Sequence, residues 1–93
     1  MTDQDLIDLV AEKVMGWKVV LKHCYQDSGG LIRNDWNPLT SMDDAWMVVE
    51  KMGEKESMPP NVWAALVLED ADMRHYAGRA ICIAALRAVG EEV

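Results

Sequence analysis

Three glycines constrain the folding of this chain more than any other feature. Gly16, Gly53 and Gly90 stand in "VMGWK", "EKMGEK" and "RAVGEE", each directly behind a stretch whose apolar residues recur at helical spacing. Glycine reaches the left-handed backbone region that closes a helix without steric penalty. The pattern predicts three helices, over about residues 3–15, 42–52 and 78–89.

In the first stretch Leu6, Val10 and Val14 repeat every four residues, Leu9 and Met15 widen the stripe, and Ile7 lies beside it. Asp8, Glu12 and Lys13 fall mostly off that stripe. Thr2 suits the N-cap, and Asp3 and Asp5 sit where the positive end of the helix dipole favours acid. A hydrophobic residue just past a glycine cap folds back onto the last turn, so Trp17 is expected to close an edge of the core against Val14 or the stem of Lys13. In the second stretch Met42, Ala45, Trp46, Val49 and Met52 share a face, behind Thr40 or Ser41 as cap. In the third, Ile81, Cys82, Ala84, Ala85, Leu86, Ala88 and Val89 make a broad apolar face, which predicts the most buried of the three helices.

Between the first two helices, Val19, Leu21, His23 and Tyr25 alternate imperfectly with Lys18, Val20, Lys22 and Cys24. "DSGG" at 27–30 is a turn signal, and Leu31 and Ile32 begin a return strand, giving a hairpin. "DWNPLTS" at 35–41 is a loop, because Pro38 holds Asn37 out of helical conformation. "EKESMPPN" at 54–61 reads as a polar linker, with Gly53 stopping the helix before it. "VWAALVL" at 62–68 is continuously apolar. Its length and the preceding prolines favour a buried strand, its two alanines a helix; a strand is the expectation, with a turn and room for a partner strand in "EDADMRHY" at 69–76. The order α-β-β-α-β-α makes an α+β fold, a small antiparallel sheet packed with three helices, in a single domain over 1–93.

The net charge of −7, with no dense run of Lys or Arg to offset it, argues against nucleic acid as a partner. The opening "MTDQDLIDLV" carries acid where a secretory signal carries basic residues, and no apolar run of about 18 residues follows, so neither export nor a membrane span is expected. The expected location is cytoplasmic, with Cys24 and Cys82 as thiols.

Candidate chemistry is sparse. His23, Cys24, His75 and Cys82 make a zinc-like inventory, but adjacent residues on a strand face opposite ways and no Cys-x2-Cys spacing joins them. A Cys–His nucleophile lacks a local signature, and no phosphate-binding glycine loop occurs. Asp43 and Asp44 favour a helix N-terminus, and Glu69, Asp70 and Asp72 a solvated turn. No catalytic, metal or cofactor residue is assigned. A binding surface is the remaining candidate. Trp36 and Asn37 lie on a loop of the kind that carries recognition, although the favoured reading has Trp36 plugging the sheet edge and Asn37 bonding the backbone ahead of the helix. Arg33, Arg74 and Arg79 form a small anion-binding group if the hairpin and the last helix meet.

"LVAEKVMGWK" (9–18), "WNPLTSMDDAWMVVEKM" (36–52) and "AICIAALRAVG" (80–90) resemble, in this order, the phage ABA-sandwich domain family. The middle block, a Trp-Asn-Pro loop leading into a helix with an Asp-Ala-Trp core, is the most specific. The resemblance implies strands between helical layers, in a small phage or prophage protein working inside a bacterial cell. The family brings no established activity, so no catalytic residues carry over. Members usually have a more aromatic hairpin between the second and third helices, and often a proline before the last. Here "ALVLEDADMRHYAGRA" is less aromatic and enters the helix through Ala77-Gly78.

The functional expectation is a non-enzymatic phage accessory protein that binds a host or phage protein. Four Trp and seven Met in so small a domain also favour a homodimer, which buries surface that one chain leaves exposed. The alternative is a binder of a small anionic ligand such as a nucleotide signal, a counter-defence sponge using Arg33, Arg74 and Arg79 with Trp36.

Overall fold

The computed structural model describes residues 2–22, 24–69 and 77–91. Helix α1 (Asp3–Leu9) runs directly into a π turn (Val10–Val14). Thr2 Oγ1 accepts the Asp5 amide at 3.1 Å, and the Asp5 carboxylate accepts the Thr2 amide at 3.2 Å, a reciprocal cap. The helix expected over 3–15 is thus not uniform. The Met15 amide donates to the carbonyl of Val10, five residues back, at 3.0 Å, and the Trp17 amide to that of Ala11 at 2.8 Å. Gly16 closes the turn at φ 74°, and a Cβ there would meet nothing within 4 Å, so the position demands the backbone conformation and not the space.

Strands β1 (Lys18–Leu21), β2 (Cys24–Gln26) and β3 (Ile32–Asn34) form one antiparallel sheet in that order. The expected hairpin therefore has three strands. Its first arm breaks after Leu21, and the register slips between Val19 and Leu21, where Val19 and Val20 had already spoiled the alternation. The turn forms where "DSGG" placed it: Asp27 Oδ1 accepts the amides of Gly29 and Leu31, both at 2.9 Å. Val19, Tyr25 and Arg33 are cross-strand partners and share the inner face. On the outer face Leu21 and Ile32 stay exposed.

Helix α2 (Met42–Lys55) is capped by Ser41, whose Oγ accepts the Asp44 amide at 3.3 Å. Gly53 does not stop it. This glycine is buried inside the helix, and a Cβ on it would stand 2.9 Å from the Met58 carbonyl oxygen and 3.1 Å from Pro60 Cα. It lets the following loop cross the helix closely. Ser57, at φ 56°, supplies the left-handed residue instead; the Met58 amide then donates to Gly53 O at 2.9 Å and the Ser57 amide to Glu54 O at 3.4 Å.

The apolar run at 62–68 is helical, within α3 (Pro60–Glu69), which corrects the strand expectation. Proline is well placed at a first helical position because its missing N–H has no partner there, and Ala64, Ala65, Leu66 and Leu68 are strong helix formers. Glu69 is the last described residue of this helix, and the rest of the expected turn and partner strand, 70–76, lies outside the described residues. Helix α4 (Ala77–Ala88) closes at Gly90, with the Glu91 amide donating to Leu86 O at 2.9 Å. The described order is α-β-β-β-α-α-α, an α+β fold with four helices where three were expected.

The core lies where the first helix and its π turn meet α2 and α4, through Val10, Val14, Val48, Met52, Ile81 and Leu86, all but fully buried. Each such side chain contributes roughly 1.5–3 kcal/mol, against about 1 kcal/mol for a helix cap, so packing and not capping fixes how the helices sit. No helix among the described residues is long and apolar enough to cross a membrane.

Candidate functional site

The sheet meets the first helix at an aromatic corner. Trp17 packs edge-on against Trp36 at 4.9 Å between ring centres, and Tyr25 meets Trp36 edge-on at 5.7 Å. Trp17 does fold inward behind its glycine, onto Trp36 across the chain. The Arg33 guanidinium lies 5.1 Å from the centre of the Trp17 ring, and its Nε is 3.5 Å from Asp27 Oδ2. Beneath this, the buried Tyr25 hydroxyl donates to Asp8 Oδ1 at 2.7 Å, while Gln4 Nε2 donates to the same oxygen at 2.8 Å. Burial first, and then the neighbouring Asp8 carboxylate, hold the Tyr25 hydroxyl well above its usual ionisation range. The sequence placed Asp8 off the buried stripe; the one signal for its role was Gln4 and Asp8 four residues apart on one helical face.

Trp36 is 3% exposed and faces this corner rather than solvent. Asn37 splices the sheet to α2: its Oδ1 accepts the Leu39 amide at 3.0 Å, and its own amide donates to Asp44 Oδ2 at 2.9 Å. Arg79 is bound to Asp3 Oδ1 at 2.7 Å, joining α4 to the start of α1. Arg33 and Arg79 therefore each face a carboxylate on a different element, and Arg74 lies outside the described residues.

A second feature was not anticipated. Between α2 and the start of α3 runs a groove of about 850 Å³, open outward and lined by Met15, Trp46, Met47, Met58, Pro59 and Pro60. The π turn brings Met15 to it, and the close crossing at Gly53 brings Met58 and the prolines. Glu50, Lys51 and Glu54 border it. Trp46 is 40% exposed there, although helical spacing alone had put it on the buried face with Val49 and Met52.

The described residues hold no group of three His, Cys, Asp or Glu side chains close enough to share a metal ion, and His23 and His75 lie outside them. Both cysteines are free thiols: Cys24 Sγ donates to Asn34 Oδ1 at 3.2 Å, and Cys82 is buried in α4. Burial pushes the Cys82 thiol up to about 12, with Arg79 pulling weakly the other way.

The family model described as the phage ABA sandwich domain matches residues 8–86. No curated protein and no solved structure gives a match to the chain.

Proposed function

We propose, from the premise that this chain belongs to the phage ABA sandwich domain family, that it is a non-enzymatic phage accessory protein acting through protein–protein contacts, and that it assembles as a homodimer through α3. The observation that supports this reading is the character of α3. Residues 57–68 form a run without a single charge in a chain of 16 acids and 9 bases. The helix is apolar on every side, yet only Trp63 and Ala64 are buried, and Val62 and Leu66, four residues apart, are exposed. A helix apolar all round is stable in water only when its second face is covered. Two chains each carrying −7 repel at most surfaces, and the uncharged face of α3 is where they meet with least repulsion.

The partner served by the dimer is a host or phage protein within the bacterial cell. The anionic-ligand alternative gains no support from Arg33 and Arg79, whose charges already face Asp27 and Asp3. Sedimentation equilibrium tests the assembly: a species of twice the 10.4 kDa chain mass is expected at micromolar concentration. A monomer throughout the accessible range would contradict it.

A further inference from the structure

We propose that the groove between α2 and the start of α3 docks a basic segment of a partner protein, anchored by apolar side chains; this rests on the protein-binding reading above. Three of its walls are methionines, Met15, Met47 and Met58, whose unbranched side chains repack around different shapes. Trp46 stands half open beside them, and aromatic residues of this kind dominate binding energy when a partner covers them. The groove has the volume of a ligand pocket but is closer to an open surface than to an enclosed cavity, which suits a peptide laid across it better than an enclosed small molecule.

Charge selects the occupant. Glu50 and Glu54 sit four apart on α2 at the groove edge, a spacing at which like charges repel, and neither has an ion-pair partner among the described residues. Lys51 offsets one of them, leaving the rim acidic. An incoming cation relieves that repulsion, whereas a second copy of this chain, at −7, adds to it. A basic amphipathic segment satisfies both the apolar floor and the acidic rim.

The test titrates the intact protein with a synthetic amphipathic peptide of leucine and lysine, and with a leucine–glutamate peptide of the same pattern, by calorimetry and tryptophan fluorescence. The lysine peptide binds, the glutamate peptide does not, and Trp46→Ala weakens binding by about tenfold or more. Glu50→Lys/Glu54→Lys weakens it comparably and flattens its salt dependence, while Glu12→Lys/Glu91→Lys, the same charge change at residues that line neither the groove nor α3, leaves affinity within about twofold. Equal loss in both charge variants, or equal binding of both peptides, would overturn the assignment. If neither peptide binds while the dimer persists, the groove inference fails and the protein-binding reading stands; a chain that neither binds nor dimerises sinks both.

Discussion

The Tyr25 hydroxyl donates to Asp8 Oδ1 across 2.7 Å, tying the middle strand of the sheet to the first helix. Trp36 meets the same tyrosine ring edge-on at 5.7 Å. Replacing Tyr25 by Phe keeps the ring contacts and deletes this bond together with the longer one, at 3.3 Å, that the hydroxyl accepts from Gln4 Nε2. It leaves Asp8 with Gln4 as its remaining side-chain donor, so the loss should be about 1–2 kcal/mol, at the upper range for a neutral bond because the acceptor is charged. Urea unfolding checks it: the midpoint falls while the slope stays unchanged.

Two neighbouring positions should respond in opposite directions. Gly53→Ala would gain up to about 1 kcal/mol of helix propensity. The new Cβ, however, stands 2.9 Å from a backbone oxygen that cannot turn aside, so overpacking of about 1–3 kcal/mol wins and the protein is destabilised. Ser57→Gly relieves a left-handed serine of roughly 1–2 kcal/mol of strain, less the entropy glycine recovers on unfolding, for a net gain of about 0.5–1 kcal/mol. Thermal melts of both variants read the two signs directly.

That contrast also marks what the sequence could reveal. Gly16 and Gly90 act as helix closures, legible because a left-handed glycine is a local requirement. Gly53 looked the same in sequence, but its reason is the approach of Met58 and Pro60, a contact no local pattern encodes. The helix at 60–69 was missed for a related reason: a continuously apolar run carries no periodicity to separate strand from helix, and its alanines were outweighed by length. The Asp27 turn, the Ser41 cap and the α4 stripe were readable because each rests on neighbouring residues. The groove was not, since it joins Met15, Trp46 and Met58 from three separate segments.

The Cys82 thiol gives a pH dependence of definite sign. Its folded value, about 12, lies above an ordinary 9.0, so the native state holds the proton more tightly than the unfolded chain does. The stability this provides is complete below about pH 9 and is lost as the pH rises toward about 12. Tyr25, raised by the same burial, acts with the same sign. Melting temperature should therefore fall between about pH 9 and about pH 11, and less steeply in Cys82→Ala.

The same burial separates the two thiols by reactivity. An alkylating reagent at about pH 8 should modify the half-buried Cys24 in the native protein and reach Cys82 only once the chain is unfolded. Mass spectrometry of peptides from native and denatured samples distinguishes the two sites.

Placing a charge at each of two exposed leucines tests the assembly through α3 most directly. Leu21, on the outer face of the sheet, is 69% exposed, and Leu66, on α3, is 53% exposed. Sedimentation equilibrium of Leu66→Glu should show a folded monomer, while Leu21→Glu remains dimeric like the parent chain. A dimer that survives Leu66→Glu, or one that dissociates on Leu21→Glu instead, would contradict a dimer built on the uncharged run of α3.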